Sequence, residues 1–312
     1  MITGAAHALA AAGPRRHLEG ALRHLPGFGP KKIAALQEQG AGDWSQLLEM
    51  HQQLPGLACD KPAWATAIQR DRDAAARGDL RALVASLHRA DHWRILADFP
   101  DQAAYVDIET SGDQAHPEIT VVAVNYRGRV FTFTAERDLH RFLDLLDTLS
   151  LLVTFNGASF DIPQLEAHFH IPMNDIAHID LRWSCYHAGL KGGLKEIERQ
   201  FGLIRPPDLL GVDGAEADWL WRRWKMTGQP HLVAKLIRYC AADVVGLEHL
   251  AHRLIAQCTG RPPPDYSWDT LPPPDETVTP HAAAMPPERD ASSHADHLRE
   301  RLRASLRLAR SR

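Results

Sequence analysis

Cysteine is scarce in this sequence, and positive charge is not in excess. The 312 residues hold four cysteines, Cys59, Cys185, Cys240 and Cys258, with no C-x-x-C pair among them. That spacing excludes a disulfide framework and a zinc knuckle, and it fits a reducing, cytoplasmic setting. Lys and Arg number 35 against 39 Asp and Glu, a formal net charge of −4, so the global basic signature of many nucleic-acid binders is missing. Any such binding has to come from local patches. No apolar run approaches membrane-spanning length. The alanine-rich start, MITGAAHALAAAG, lacks the cationic and strongly apolar regions of a signal peptide. Pairs such as His168 and His170 have no cysteine or acidic partner at ligand spacing, so they read as solvent-exposed histidines. What is present is an ordinary globular composition, 45% hydrophobic and 24% charged, sufficient for one medium domain plus extensions.

The patterning changes along the chain. Residues 1–100 read as an all-helical region, with apolar positions recurring at three and four and breaks at Pro26–Pro30, Gly40–Gly42 and Pro55. From Tyr105 the runs AAYVDIET, EITVVAVNY, RVFTFT and LLVTFN carry the branched and aromatic residues of strands. The first three follow one another closely, as an antiparallel meander would. AERDLHRFLDLLDTLS then supplies a helix, which lets the fourth strand lie parallel to the first. A helix from about Pro163, a short strand HIDLRW, and helices near Gly193–Phe201, Ala215–Met226 and His231–Cys258 complete a domain over 101–259. Nine prolines fall between Arg261 and Asp290, so 260–312 reads as a disordered linker followed by a basic tail.

Four carboxylates stand at telling places. Asp107 and Glu109 are two apart on the first strand and so share a face of the sheet. Side by side they repel unless a cation lies between them. Asp161 follows the turn-forming Asn156–Gly157 and opens a helix, where a carboxylate also serves as a cap. Asp243 lies four residues after Tyr239 on a late helix, so both leave the same face. Each feature taken alone is equally a structural one: an exposed strand face, an N-cap, a tyrosine satisfied by a surface aspartate.

In order, D-x-E, N-G-x-x-F-D and Y-x-x-x-D resemble the three exonuclease motifs of the DEDDy family in the ribonuclease-H-like superfamily. The segment from about Ala104 to Ala256 is most similar to its YprB-type branch, whose pattern continues in HIDLRW and KGGLKEIERQFGL. The sequence departs from the usual motif in having Cys240 after the tyrosine. The resemblance implies an α/β, RNase-H-like fold, a five-stranded mixed sheet flanked by helices, here preceded by the helical region. It implies a two-metal 3′→5′ exonuclease acting on single-stranded DNA or RNA ends. Asp107, Glu109, Asp161 and Asp243 would be the metal ligands, Asp107 bridging both ions, and Tyr239 would orient the attacking water. Hard oxygen ligands favour Mg²⁺ or Mn²⁺ over zinc. Asn156, in the second motif, is placed with the nucleic-acid-binding residues. Alternatives stay open: an adaptor that keeps the fold without cleaving, or a structure-specific endonuclease. Asp180 reads as a supporting or structural acid, and Lys191 and Lys195 flank Gly192–Gly193 where a phosphate could be held.

The flanks carry weaker signals. LRHLPGFGPKKIAALQEQGAGDWSQLLE resembles a helix-hairpin-helix motif, with Gly27 and Gly29 in the hairpin and Lys31 and Lys32 beside it, a device that binds phosphates without reading sequence. A glycine-rich helical corner is also common for steric reasons alone. Trp219, Trp221 and Trp224 interleave with Arg222, Arg223 and Lys225, and i, i+3 spacing favours packing of the tryptophans over base stacking. After His297, six arginines against one glutamate form a short basic amphipathic tail.

Overall fold

In the computed structural model, which describes residues 16–51, 53, 61–113 and 116–273, the chain divides between Pro100 and Asp101 into a helical unit and an α/β unit. The helical unit runs through α1 (Arg16–Glu19), α2 (Pro30–Glu38), α3 (Trp44–Met50), α4 (Lys61–Arg77), α5 (Leu80–Ser86) and α6 (His92–Asp98). Asp43 and Asp79 start α3 and α5 by accepting from the Gln46 and Ala82 amides at 2.8 and 3.0 Å. Leu18, Leu22, Trp44, Leu47, Trp64, Ile68 and Leu83 form its core. The Trp44 indole N–H donates to the Ala21 carbonyl at 2.6 Å, which pins the turn leading to α2. In that turn Gly27 takes φ +78°, a conformation glycine adopts without strain. Gly29 precedes α2 in extended conformation, and Pro30 takes the first helical position, where its missing N–H costs nothing.

The α/β unit is built on one mixed sheet. Strands β1 (Ala103–Asp113), β2 (His116–Tyr126) and β3 (Arg129–Thr134) form the antiparallel meander. After α7 (Phe142–Leu146), β4 (Leu151–Thr154) pairs parallel to β1. Then come α8 (Asp161–Phe169) and β5 (Ala177–Asp180), which pairs parallel to β4, giving the order β3-β2-β1-β4-β5. Helices α9 (Leu181–His187), α10 (Leu194–Gln200), α11 (Gly214–Thr227) and α12 (Pro230–Thr259) follow. Val106, Ile108, Val122, Val124, Phe131 and Phe133 turn one sheet face onto Phe142, Leu146 and Leu165. The other face lies under α11 and α12. Strand alternation therefore sends Asp107 and Glu109 toward α12. This is the five-stranded, helix-flanked α/β architecture that the motifs imply.

Three details depart from expectation. The segment 135–150 is helical only over a 3₁₀ turn (Leu139–Arg141) and α7. Glu136 sits in the left-handed region, and Asp138 accepts from the Thr134 amide at 2.8 Å, so the chain turns before it can wind. HIDLRW is strand only to Asp180, which caps α9 by accepting from the Arg182 amide at 3.2 Å. The proline-rich stretch is no disordered linker over 261–273. The Trp268 indole donates to the Ile204 carbonyl at 2.9 Å, Tyr266 donates to the Gly202 carbonyl at 3.3 Å, and Leu271 is buried. Prolines fix φ in advance and so lower the entropy of laying an extended strap, while these three side chains supply the anchoring area. The rest of that stretch, the basic tail, Cys59 and the first fifteen residues lie outside the described residues.

Candidate active site

The site is built from three elements. On β1, regular pairing with β2 is interrupted directly after Glu109: Thr120 is skipped, and its hydroxyl donates to the Glu109 carbonyl at 3.0 Å. Such a bulge re-aims side chains where a strand meets a site. The β4–α8 turn brings Asp161. Asn156 adopts φ +67° there, and Gly157 passes so near Thr154 that a Cβ would stand 2.3 Å from its hydroxyl oxygen. Asp180 holds the turn, accepting from the Asn156 and Ala158 amides at 2.7 and 3.3 Å, so its role is structural. Asp161 is the first residue of α8, not its cap, and it is buried.

Helix α12 completes the set with Tyr239 and Asp243, both buried. Cys240 lies between them in sequence, with Sγ 3.6 Å from the Asp107 carbonyl and 3.7 Å from its Oδ2. Ligand-type atoms of Asp107, Glu109 and Cys240 all lie within 4.8 Å of one another. Burial pushes the Asp107 and Glu109 carboxyls well above the usual carboxylate range, with Asp243 the largest neighbouring charge for each. Burial likewise raises Asp161 to about 7, with Asp180 and Asp243 adding to the rise. The Cys240 thiol and Tyr239 phenol are pushed up too, first by burial and then by the acids around them. The four carboxylates therefore act on one another electrostatically. Asp107, Glu109 and Asp161 are hard oxygen donors that burial and like charge keep from ionising, the kind of cluster a divalent cation stabilises, so these residues fit a hard divalent ion.

Two cations answer Asp243. Arg205 Nη2 lies 2.6 Å from Asp243 Oδ1, and the same guanidinium is bidentate to Glu198 at 2.7 Å for both bonds. All three are buried, and Asp243 and Glu198 hold the guanidinium above its ordinary range despite that burial. Lys195 Nζ stands 3.4 Å from Asp243 Oδ1 and donates to the Tyr239 hydroxyl at 2.7 Å. Sequence reasoning considered Lys195 only as a phosphate-binding cation, noted Cys240 only as a departure from the motif, and missed Glu198 and Arg205. One signal was available. Gly246 interrupts an apolar helix at a cost of about 1 kcal/mol, which calls for a packing reason. The reason is Glu198, whose Oε1 would be 2.1 Å from a Cβ at that position.

The remaining candidates belong to other elements. Gly27, Gly29 and Lys31 are exposed in the helical unit, and Lys32 Nζ sits 4.7 Å above the Phe28 ring. On α11, Trp221 is buried and packs against Trp224 with the rings tilted at 46° and centroids 4.8 Å apart, whereas Trp219 is 55% exposed.

The family model described as RNase_H superfamily matches residues 104–255, a span that takes in all five carboxylate- and tyrosine-bearing positions. No curated protein matches the chain. Among matching solved structures is the family B DNA polymerase from the hyperthermophilic archaeon Pyrobaculum calidifontis, at 19% identity and a TM-score of 0.38. That match covers 50% of this chain and 24% of the polymerase chain. No helix among the described residues is long and apolar enough to cross a membrane.

Proposed function

We propose that the RNase_H-superfamily domain at residues 104–255 is a divalent-metal-dependent nuclease, a 3′→5′ exonuclease of the DEDDy, YprB-like type acting on single-stranded nucleic acid ends. The observation that carries this reading is the meeting of Asp107 and Glu109 on β1, their ligand atoms within 4.8 Å of each other, with buried Asp161 at the start of α8 and buried Tyr239 and Asp243 on α12, three separated elements. A binding module has no use for four acids that repel one another and the phosphate. The four carboxylates would hold two ions, Mg²⁺ or Mn²⁺, which when bound stabilise charge on the attacking and leaving oxygens.

The chain's own groups have distinct tasks. Tyr239 stays a neutral phenol, because burial and the surrounding carboxylates oppose its ionisation. It therefore orients a water by hydrogen bonding and does not serve as a base. Lys195 occupies one acceptor position of that hydroxyl and so restricts how it can turn. Arg205 fixes Asp243 through Oδ1, and Glu198 fixes Arg205. In the helical unit, the Gly27–Gly29 amides with Lys31 and Lys32 would bind phosphates as a helix-hairpin-helix does. The few, widely spaced cysteines support a reducing, cytoplasmic setting.

The test is cleavage of end-labelled single-stranded DNA and RNA by purified protein with Mg²⁺ or Mn²⁺, beside Asp107→Asn and a closed-circular substrate. Divalent-dependent shortening from the 3′ end, lost in the variant, is expected. Cleavage of the circle would assign an endonuclease. Binding without cleavage of any substrate would assign an adaptor.

A further inference from the structure

Between the β4–α8 turn, α9 and the loop before α10 lies a concavity of about 460 Å³ that the mechanism leaves unused. Two of its walls are segments that run into the site. The β4–α8 turn, with Phe155 and Asn156, leads to Asp161, and the loop containing Leu190 and Lys191 leads to Lys195. Tyr186 on α9 forms a third wall, 56% exposed, its ring edge-on to Trp183. Arg182 and Lys191 are exposed at the pocket, and Arg182 donates to the Asn156 side-chain oxygen. No carboxylate is among its lining residues. The contrast with the neighbouring acid cluster is complete.

The chemistry of this lining defines its ligand. Phe155, Leu190 and the Tyr186 ring offer the flat apolar surface a base needs. Arg182 and Lys191 offer the charge a phosphate needs. The volume falls within the roughly 300–1,000 Å³ of small-ligand pockets. We propose that the pocket holds one nucleotide unit of the substrate strand adjacent to the phosphate under attack, its base against Tyr186 and its phosphate at Arg182 and Lys191. The occupant belongs to the strand, and is not a separate small ligand, because both loop walls continue into the acid cluster. This rests on the nuclease reading. It also answers how a chain of net charge −4 retains a polyanion beside four carboxylates.

The experiment measures fluorescence anisotropy of labelled oligothymidylate and oligouridylate on full-length Asp107→Asn protein with Mg²⁺, so that binding is read without cleavage. Adding Tyr186→Ala should weaken binding about tenfold or more, the scale of one lost stack. Tyr186→Phe should restore it. Replacing Arg182 and Lys191 together by alanine should flatten the slope of log affinity against log salt by about one to two units. Strands with a single abasic unit walked along them locate the contact. One position near the 3′ end should weaken the parent but not the Tyr186→Ala protein. Unchanged melting temperatures are expected, since all three side chains are exposed. Full affinity in Tyr186→Ala, or abasic losses that are the same in both proteins at every position, overturns the pocket while leaving the nuclease reading intact. A wild type that neither binds nor cleaves single strands overturns both.

Discussion

Arg205 sets Nη2 2.6 Å from Asp243 Oδ1, and that nitrogen is shared with Glu198 Oε1 at 2.7 Å. The pair is possible because α12 carries glycine at position 246, where a Cβ would stand 2.1 Å from Glu198 Oε1 and 3.4 Å from the Trp268 ring. Gly246→Ala should therefore displace Glu198, loosen Arg205 and misplace Asp243. Alanine gains about 1 kcal/mol of helix propensity, whereas overpacking costs about 1–3 kcal/mol. A net fall in melting temperature is expected, with a larger fall in single-turnover cleavage than instability explains. A variant that cleaves normally would show that the pair does not position Asp243.

The same geometry separates two variants that look alike in sequence. Asp107→Asn removes one of the repelling acids, so the metal-free protein should melt higher while cleavage is lost. Asp243→Asn should also abolish cleavage, but it weakens a buried pair with Arg205 and should not stabilise. Divalent ions should raise the melting temperature of wild type more than that of either variant. Equal divalent shifts in all three proteins would refute the metal-ligand assignment.

Tyr239→Phe keeps the ring and loses one hydroxyl, together with the acceptor for Lys195. Divalent and strand affinities should persist, while the chemical step slows by about two to four orders of magnitude. Single-turnover rates decide this. An unchanged rate returns Tyr239 to a packing role.

Asp161 gives the pH dependence its sign. Burial raises its carboxyl to about 7 in the folded protein, against an ordinary value of 3.8. Between those values the folded state holds a proton that the unfolded state has released, so metal-free stability falls as pH rises from about 4 to about 7. The contribution is complete below the lower value and gone above the upper one. Divalent affinity should rise over the same window as the proton leaves. Melting curves at several pH values, with chelator and with Mn²⁺, test both slopes. A chelated protein that grows more stable from pH 4 to 7 contradicts the assignment.

Lys31 and Lys32 test the helical unit. Replacing both by alanine should weaken binding of long strands alike across sequences and flatten the salt slope by one to two units. Cleavage of a dinucleotide should hardly change. Identical slopes for wild type, the variant and a protein beginning near Asp101 would leave the hairpin with a packing or protein-binding role.

Much of the fold was legible because its signals are local. The strands announced themselves through alternation and β-branched content, and a helix before LLVT required the parallel pairing with β1 that is found. Errors came where one contact outweighs composition. Asp138 ended a helix before it began, Asp180 turned a strand into a helix start, and Tyr266, Trp268 and Leu271 ordered a segment whose proline count reads as disorder. Local averages do not register a single long-range anchor.

For the site, the sequence by itself determined which residue types stand at which places: D-x-E on a strand, an aspartate at a turn-to-helix junction, tyrosine and aspartate one helical turn apart. Spacing alone set which of these share a face, because side chains repeat every two residues in a strand and every 3.6 in a helix. Only the tertiary structure decided what Asp243 touches. Arg205 and Glu198 are seven residues apart on different local elements and become partners by burial against α12, and no periodicity encodes that meeting. A buried charge is tolerated only where its counter-charges arrive with it, and that condition is met in three dimensions alone.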